Sequence, residues 1–326
     1  MQKVIKKIAL LTSGGDAPGM NAAIRAVVRT AIYHDLEVAG IMHGYDGLIN
    51  DEFVKLQAVS VANIIQRGGT ILKTARSARF MTDEGMELAF NNLKKHNVDA
   101  LITVGGDGTF RGAKVFGDKY KYSIVGIPGT IDNDLVGTDL AIGYDTAINT
   151  VVDAVDKIRD TAESHDRLFF VEVMGRDAGL IALRSGIAAG AEAILMPETP
   201  TNIDVLIDKL KNVKRKKSSK IIIVAEGDEA GGAFEIAKKV TEKVKGYDAR
   251  ITVLGHIQRG GAPTCMDRVN ASRLGYEAVL ALINGKRDLM VGIVNKKVEY
   301  TLFENAVKHI QKMDPELVKM LEVLSL

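Results

Sequence analysis

Short apolar segments alternate with longer amphipathic segments along this 326-residue chain. Segments 21–34 and 84–96 carry apolar residues at helical spacing. The strand-like apolar runs lie at 8–12, 37–42, 100–104 and 122–127, and again at 168–173, 193–196, 220–225 and 249–254. Because helices separate these strands, the strands should pair in parallel. The pattern predicts an α/β fold of two Rossmann-like, three-layer domains with mostly parallel sheets and the active site in the cleft between them. A short helix is also predicted at 62–65.

Composition excludes several classes of partner. Lysine plus arginine (43) nearly balances aspartate plus glutamate (41), and a net charge of +2 gives no electrostatic case for nucleic acid or a membrane surface. The apolar runs are too short to span a bilayer, and the stretch at 8–11 is too short for a signal peptide. The single cysteine, Cys265, excludes an intrachain disulfide and fits a cytoplasmic protein. We treat Cys265 as an ordinary small side chain.

Two acidic turns follow neighbouring predicted strands. Residues 128–134 read Pro-Gly-Thr-Ile-Asp-Asn-Asp, and residues 105–109 read Gly-Gly-Asp-Gly-Thr. Carboxylates two residues apart on an extended chain point the same way, which is costly unless a cation or a substrate proton uses them. One such carboxylate could accept the proton of an attacking hydroxyl, and Asp107 could hold Mg²⁺ together with phosphate oxygens and water. The turns indicate Mg²⁺-assisted phosphoryl transfer.

A glycine-rich turn joins the first strand to the first helix. Glycines in Ser13-Gly14-Gly15-Asp16 let backbone N–H groups approach a phosphate at the helix start. Neither the lysine-containing P-loop pattern nor the dinucleotide fingerprint is present, which argues against P-loop enzymes and dehydrogenases. Since ligands of open α/β sheets bind at the carboxyl ends of strands, Gly14, Gly15, Asp107 and Asp132 are expected together.

Arginines cluster at the predicted strand ends and loops. Guanidinium groups bind phosphate in a bidentate manner and stay charged, so several of them together predict a phosphate clamp. His256, beside Arg259 and two glycines, is a candidate hydrogen-bond donor to the same anion. The arginines are Arg76, Arg167, Arg176, Arg250 and Arg259.

Together these motifs resemble the bacterial, ATP-dependent 6-phosphofructokinases (the phosphofructokinase A family). The segments that carry the resemblance are 11–21, 105–109, 128–134, 171–176 and 254–261, and it runs in register from about residue 4 to residue 310. The resemblance implies glycolytic transfer of the ATP γ-phosphoryl group to O1 of fructose 6-phosphate. The implied domains are a larger ATP- and Mg²⁺-binding domain (1–142 plus 256–307) and a smaller fructose-6-phosphate-binding domain (143–255 plus 308–326).

The resemblance also implies roles for residues at the matching motif positions. Asp132 would be the general base on the 1-hydroxyl, while Thr130 and Arg176 would stabilise the transferring phosphoryl group. Asp107 would bind Mg²⁺, with Asp134 assisting through water. The implied ATP contacts are Gly15, Arg76, Ser77, Gly106, Asp107, Gly108 and Thr109. The implied sugar-phosphate contacts are Thr130, Ile131, Asp132, Arg167, Met174, Gly175, Arg176, Glu226, Arg250, His256, Ile257, Gln258 and Arg259.

Assembly and regulation follow from the resemblance in the same way. In this family Arg167 and Arg250 would reach into the neighbouring subunit's site, which implies a homotetramer with shared active sites. An effector site for ADP or phosphoenolpyruvate would use Arg25, Arg29, Arg159, Gly190, Glu192, Arg215 and Lys217. Ala58 stands where an arginine is common and Asn63 where an aspartate is common, so we expect a weak response to these effectors.

Two alternative functions stay open at this point. A pyrophosphate-dependent phosphofructokinase would share most of the motifs, but members of that type tend to carry Asp and Lys where this chain has Gly108 and Gly129. A non-catalytic nucleotide or sugar-phosphate sensor would keep the binding sites without turnover. The presence of Asp107, Asp132, Asp134 and Arg176 favours an enzyme.

Overall fold

The protein contains two compact α/β units, each built around its own sheet. The computed structural model describes residues 5–164, 167–212, 220–244, 248–308 and 315–324. The first unit comprises Met1–Thr146 and Arg259–His309, and the second comprises Ala147–Gln258 and Ile310–Leu326. Both sheets are mostly parallel, which confirms the predicted fold class.

The first unit contains a seven-stranded sheet in the order β11-β10-β5-β4-β1-β2-β3. Its five central strands pair in parallel, whereas β3 and β11 pair antiparallel at the edges. The strands are β1 (Lys7–Thr12), β2 (Glu37–Ile41), β3 (Phe53–Leu56), β4 (Ala100–Gly105), β5 (Ser123–Pro128), β10 (Leu289–Val294) and β11 (Lys297–Leu302). The helices are α1 (Met20–Tyr33), α2 (Gly44–Ile49), α3 (Asp83–Lys95), α4 (Asp107–Tyr120) and α9 (Cys265–Ile283), with a 3₁₀ turn at Arg79–Met81.

Helices cover both faces of this sheet because its central strands are apolar on both sides. Ala9 and Leu11 of β1 belong to a buried cluster that includes Phe110 of α4. Ile8 and Leu10 are also fully buried, and strand alternation turns them to the opposite face. The helices α1 and α9 pack against each other. A Cβ on Gly275 would lie 2.7 Å from the Ala23 carbonyl oxygen, so this helix pair approaches more closely than a larger residue permits.

The second unit contains a four-stranded parallel sheet in the order β7-β8-β6-β9. Leu168 and Phe170 of β6 pack with Ile222 of β8 in a buried cluster. The strands are β6 (Leu168–Val173), β7 (Ala193–Leu195), β8 (Lys220–Ala225) and β9 (Ala249–Val253). The helices are α5 (Tyr144–Glu163), which begins in the first unit, α6 (Leu180–Ala188), α7 (Ile203–Asn212), α8 (Ala233–Lys243) and α10 (Pro315–Leu324); a 3₁₀ helix spans Gly255–Arg259.

The sequence-based prediction was wrong or silent where local patterns are weakest. Residues 62–65 form turns rather than the predicted helix, and Asn63 adopts a left-handed conformation with φ of 53° that a helix does not allow. The short helix α2, the edge strand β3 and the hairpin β10–β11 were not predicted. The edge strands β3 and β11 are half-exposed and carry no continuous apolar run, so periodicity does not reveal them, whereas β10 is a buried apolar run that was overlooked. Within the described ranges no helix combines the length and apolarity needed to cross a membrane.

The centre of the first sheet tolerates no added volume at Gly126. A Cβ there would lie 2.5 Å from Phe110 Cε1 and 2.7 Å from Phe303 Cε1, and these two buried rings stack on each other. We expect Gly126→Ala to lower the free energy of unfolding by about 1–3 kcal/mol through overpacking. Calorimetric unfolding of the ligand-free chain measures this loss.

Gly112 provides the matched control in the middle of α4. A Cβ there would meet Phe80 and Tyr45 at 3.4 Å, an ordinary van der Waals distance. Gly112→Ala should therefore be neutral or stabilising by up to about 1 kcal/mol, since alanine favours a helix over glycine. Equal destabilisation by both substitutions would contradict the packing explanation.

Candidate active site

Three neighbouring strands of the first unit end at the same edge of the sheet. The strands β1, β4 and β5 are adjacent and parallel, with Thr12 beside Val104 and Gly105 beside Pro128. Backbone hydrogen bonds continue past the strand ends, from Ser13 N to Val104 O at 2.9 Å and from Gly129 N to Gly105 O at 2.9 Å. The three motif loops that follow therefore begin side by side.

These loops surround a cavity of about 470 Å³, a volume typical of small-molecule sites. The cavity brings together Gly14, Gly15, Asp107 and Asp132, as the sequence predicted. Further predicted residues at the cavity are Arg76, Ser77, Gly106, Gly108, Thr109, Thr130, Asp134 and Arg259. Ser13, Tyr45, Phe80, Met81, Arg111, Gly112, Gly129 and Lys308 complete the lining.

The glycine turns allow a closeness that other residues would prevent. A Cβ on Gly105 would lie 2.5 Å from the Ser13 carbonyl oxygen, and one on Gly15 would lie 2.6 Å from Arg259 Nη1. Helix α4 begins at Asp107, directly after Gly106. The first N–H groups of a helix lack intrahelical acceptors and favour an anion. This wall of the cavity suits a phosphate group.

The carboxylate of Asp107 lies at the start of α4 and accepts two hydrogen bonds. Arg111 Nε and the backbone N–H of Lys308 each donate to it at 3.0 Å. The Arg111 side chain is 63% exposed, so it can leave this carboxylate at little cost. Asp107 can therefore offer an oxygen to a cation.

The Asp132–Asp134 segment is held by the residue between its two acids. Asn133 adopts a left-handed conformation with φ of 52°, so the segment is not extended, and the extended-chain argument for its carboxylates was wrong. The buried Asn133 side chain donates to Asp139 O at 3.0 Å and accepts from Ala141 N at 2.6 Å. Tertiary anchoring of Asn133, rather than strand alternation, places both acids at the cavity.

The two acids differ in environment. Asp132 is half-buried, and its backbone N–H donates to Thr130 Oγ1 at 3.2 Å. Asp134 is only 5% exposed, and its Oδ2 lies 3.4 Å from Lys308 Nζ. Burial raises the pKa of Asp134 above its ordinary value, and the neighbouring Asp132 raises it further, while Lys308 opposes both effects. The charged form of the Asp134 carboxylate is therefore less stable in the folded protein than in water.

Tyr45 and Phe80, which were not predicted, form the aromatic wall of the cavity. Their rings stack with centroids 3.9 Å apart, and Tyr45 Oη donates to Thr109 O at 2.8 Å. The predicted ATP contact Ser77 donates its hydroxyl to Asp46 and accepts from Phe80 N at 3.2 Å. Arg76 is exposed. Tyr45 was not predicted because it lies on the short helix α2, whose six residues are too few to show a helical period.

Arg259 lies over the first glycine turn of the same unit. Its Nη1 donates to the Asp16 carbonyl oxygen at 3.2 Å, which fixes the guanidinium beside Gly15. The structure thus places this predicted sugar-phosphate contact among the predicted ATP contacts. The side chain of Ile131, another predicted sugar-phosphate contact, is fully buried and does not line this cavity.

The second unit brings another group of predicted residues to the carboxyl ends of β6 and β8. Val173 and Ala225 are paired, and Glu226 N donates to Val173 O at 2.9 Å, so the loops 174–176 and 226–227 begin together. Gln258 is fully buried, and its Oε1 accepts from Met174 N at 3.3 Å. Gln258 therefore holds the loop carrying Met174, Gly175 and Arg176. His256, Ile257, Arg176 and Glu226 are exposed.

Arg167 and Arg250 lie at the opposite, amino-terminal edge of this second sheet. Arg167 precedes β6, and Arg250 is the second residue of β9. Both guanidiniums contact the carboxylate of Asp248, at 3.1 Å from Arg167 Nε and 2.8 Å from Arg250 Nη2. One half-exposed carboxylate thus orients the two arginines side by side.

The predicted effector residues belong to both units. Arg25 and Arg29 lie on α1 of the first unit, and Ala58 and Asn63 are exposed there. In the second unit the Arg159 guanidinium donates to the carbonyls of Ala189 and Gly190. Glu192 is buried and accepts from Ile221 N at 2.6 Å, so it is placed as an internal hydrogen-bond acceptor. Arg215 and Lys217 lie outside the described residues.

Comparison with known proteins gives a consistent result. The Phosphofructokinase family model matches residues 7–282. The chain is 53% identical over 323 residues to ATP-dependent 6-phosphofructokinase 2 of Bacteroides thetaiotaomicron, with 99% of each chain covered. It is 51% identical to ATP-dependent 6-phosphofructokinase 1 of Thermus thermophilus, covering 99% of this chain and 100% of that one.

Solved structures resemble the chain over almost its whole length. Phosphofructokinase of Pichia pastoris matches with a TM-score of 0.88 and 35% identity, and this chain covers 37% of that larger polypeptide. A pyrophosphate-dependent phosphofructokinase of Marinobacter aquaeolei has a TM-score of 0.84 at 22% identity. At that identity the likeness concerns the fold alone.

The buried acid Asp134 should reduce stability at neutral pH. Because the folded-state pKa of Asp134 is raised, its favourable contribution exists at low pH and is lost as pH rises from its ordinary 3.8 through the folded-state value. In metal-free buffer, Asp134→Asn should therefore raise the thermal midpoint at pH 8, with a smaller gain at pH 5. Scanning calorimetry at both values measures this difference.

Asp118→Asn serves as the control for this measurement. Asp118 is 59% exposed and pairs with Lys114 on α4, away from the cavity. Its substitution should change the midpoint little at either pH. A lower midpoint for Asp134→Asn at pH 8 would show that the carboxylate stabilises the fold.

Proposed function

Because the chain belongs to the phosphofructokinase family, we propose that it transfers the γ-phosphoryl group of ATP to O1 of fructose 6-phosphate. The products are ADP and fructose 1,6-bisphosphate, and the reaction is a step of glycolysis. The observation that carries the proposal is the cavity of the first unit, where the helix start after Gly106 faces the same space as Asp107, Asp132 and Asp134. Full-length relatives that are half identical are named for the same activity.

Asp132 acts as the general base in this proposal. It is half-buried and near Thr130, so it can accept the proton of the 1-hydroxyl while Thr130 contacts the phosphoryl group. Arg176 is exposed on the loop after β6, and in this proposal its guanidinium stabilises the negative charge of the transferring phosphoryl group. Phosphoryl transfer needs such positioning and charge stabilisation more than covalent chemistry.

Asp107 holds Mg²⁺ in this proposal, with Asp134 assisting through water. In the described residues no three His, Cys, Asp or Glu side chains form a protein-only metal cage. A single carboxylate, completed by phosphate oxygens and water, is how Mg²⁺ commonly binds in phosphate-transferring sites. The weakly held Arg111 leaves the Asp107 carboxylate accessible, so the residues fit the ion. When bound, the ion neutralises phosphate charge.

The contacts to fructose 6-phosphate in this proposal are those that the family resemblance implies. Met174, Arg176 and Glu226 contact the sugar, and His256 and Arg259 hold the 6-phosphate. What supports the sugar contacts is their shared origin at the carboxyl ends of β6 and β8. The division into an ATP-binding and a sugar-phosphate-binding domain follows these assignments and stays a prediction.

Arg167 and Arg250 serve the active site of a neighbouring subunit, so the proposed assembly is a homotetramer with shared sites. The six-residue strand β6, about 20 Å long at 3.3 Å per residue, separates Arg167 from the loop that carries Arg176. Two arginines oriented by Asp248 are suited to a partner's phosphate.

Regulation by ADP or phosphoenolpyruvate and a cytoplasmic location complete the proposal. Ala58 supplies no charge where an arginine is common, which could cost ~1.5–3 kcal/mol of effector binding. We therefore expect activity to respond weakly to phosphoenolpyruvate.

The proposed cytoplasmic location is supported by the lone Cys265, which is compatible with a reducing compartment.

Substitution of the proposed base should abolish most turnover. Asp132→Asn removes the proton acceptor but keeps the shape, so kcat should fall by about 10²–10⁴, or ~3–5.5 kcal/mol of barrier. A coupled assay for fructose 1,6-bisphosphate measures kcat, and ADP binding checks that the site is intact. Near wild-type turnover would show that the base is another group.

The phosphoryl donor is tested at Gly108. Among described residues, no heavy atom lies within 4 Å of a Cβ built there, so a side chain fits without disturbing the fold. Gly108→Asp should lower kcat/KM for ATP by about tenfold or more, since a carboxylate near a phosphate costs ~1–4 kcal/mol. The same assay with ATP and then pyrophosphate measures donor use.

Gly108→Ala separates bulk from charge in this experiment and should cause a smaller loss. Wild-type turnover with pyrophosphate equal to that with ATP would favour the pyrophosphate-dependent alternative. Binding of ATP and fructose 6-phosphate without any product would favour the sensor.

A further inference from the structure

Lys308 is a charged residue of the cavity to which no motif assigns a role. It lines the same space as Gly108, Thr130 and Asp132, yet it lies 176 residues beyond the last of them in sequence. Its side chain is 30% exposed.

The backbone around Lys308 is fixed beside both acidic turns. Its N–H donates to Asp107 Oδ1 at 3.0 Å, and an antiparallel bridge pairs it with Leu135. Val136 N donates to Val307 O at 3.3 Å in the same short ladder. The residue is therefore positioned by the metal-binding candidate on one side and by the Asp132–Asp134 segment on the other.

The ammonium contacts Asp134 only loosely. Its Nζ lies 3.4 Å from Asp134 Oδ2, whereas charge-assisted N–H···O bonds measure about 2.7–2.9 Å. A long, flexible lysine side chain in an open cavity can move to a better acceptor without unfolding anything. A phosphate oxygen is such an acceptor.

Charge balance favours this movement. The cavity already holds three carboxylates, Asp107, Asp132 and Asp134, and a polyphosphate would bring several more negative charges. One divalent cation does not offset that sum. The other cations at the cavity are Arg76, Arg111 and Arg259; Arg259 donates to the Asp16 carbonyl oxygen, while Arg76 and Arg111 are exposed.

We propose that Lys308 is a phosphate-binding residue of the transfer site, which pairs with Asp134 in the free protein and contacts the polyphosphate of the bound donor. The inference rests on the proposed function for the identity of the donor. The phosphate contact itself depends only on the cavity and its charges. Lys308 would thus couple the buried acid to occupancy of the phosphate site.

The test compares phosphate binding with nucleoside binding in the full chain. Isothermal titration with tripolyphosphate, ATP, ADP and AMP, with and without Mg²⁺, gives Kd for wild type and K308M. We expect K308M to weaken tripolyphosphate and ATP by roughly tenfold or more, the usual effect of losing one charge-assisted contact. AMP should change less than about twofold, and K308R should restore most of the affinity for ATP. If Lys308 contacts only the terminal phosphate of ATP, the Kd for ADP should be the same in K308M and the wild type.

Lys114→Met is the matched control. Lys114 is 31% exposed and also pairs with an aspartate, Asp118, but it does not line the cavity. Its substitution should leave every Kd at the wild-type value. If K308M lacks the wild-type thermal transition, K308Q takes its place with the same expectations.

Two results would overturn the inference: unchanged tripolyphosphate and ATP binding in K308M, or an equal loss for AMP, which would indicate a structural role. These results are independent of turnover. If the wild type makes no fructose 1,6-bisphosphate, the proposed function fails whatever Lys308 does. If it makes the product and K308M binds tripolyphosphate normally, only the inference fails.

Discussion

Parallel hydrogen bonding among β1, β4 and β5 determines where the charged groups of the first unit lie. Because the three strands run in one direction and end in register, the loops after them must share one edge of the sheet. The absence of a side chain at Gly105 allows β4 to end against Ser13, so the first two loops touch. The space that these loops border therefore results from the strand pairing, and their side chains then give it an acidic lining.

Electrostatics then decides what the space is suited to. Folding buries Asp134 beside Asp132 and raises its pKa, which costs stability in the charged state. Lys308 reduces this cost, and a bound cation would reduce it further. Charges that are already in position lower the barrier to phosphoryl transfer. An enzyme for this reaction is therefore expected to hold charges that cost folding stability but stabilise the bound ligand. The acids and the cations are therefore parts of one arrangement.

Much of the candidate site could be predicted from the sequence, though not always for the right reason. Asp107 and Asp132 were placed together correctly because the alternation of elements implies parallel strands, whose carboxyl ends share one edge of the sheet. The extended-chain argument for Asp132 and Asp134 was wrong, since Asn133 turns the chain and is anchored by Asp139 and Ala141. Lys308 was missed because the contacts that bring it to the cavity join residues distant in sequence. Tyr45 was missed because it lies on a helix too short to show a period.

The amino-acid sequence alone determined the α/β class, the strand-end position of the acidic and glycine turns, and membership of a family whose motifs it carries. Those features are local, since hydrophobic period and turn residues act over a few positions. Tertiary structure decided which distant residues complete the cavity, above all Lys308 and Arg259, and which acid is buried. Such properties depend on packing between segments far apart in the chain, and no local pattern encodes a distance or a dielectric environment.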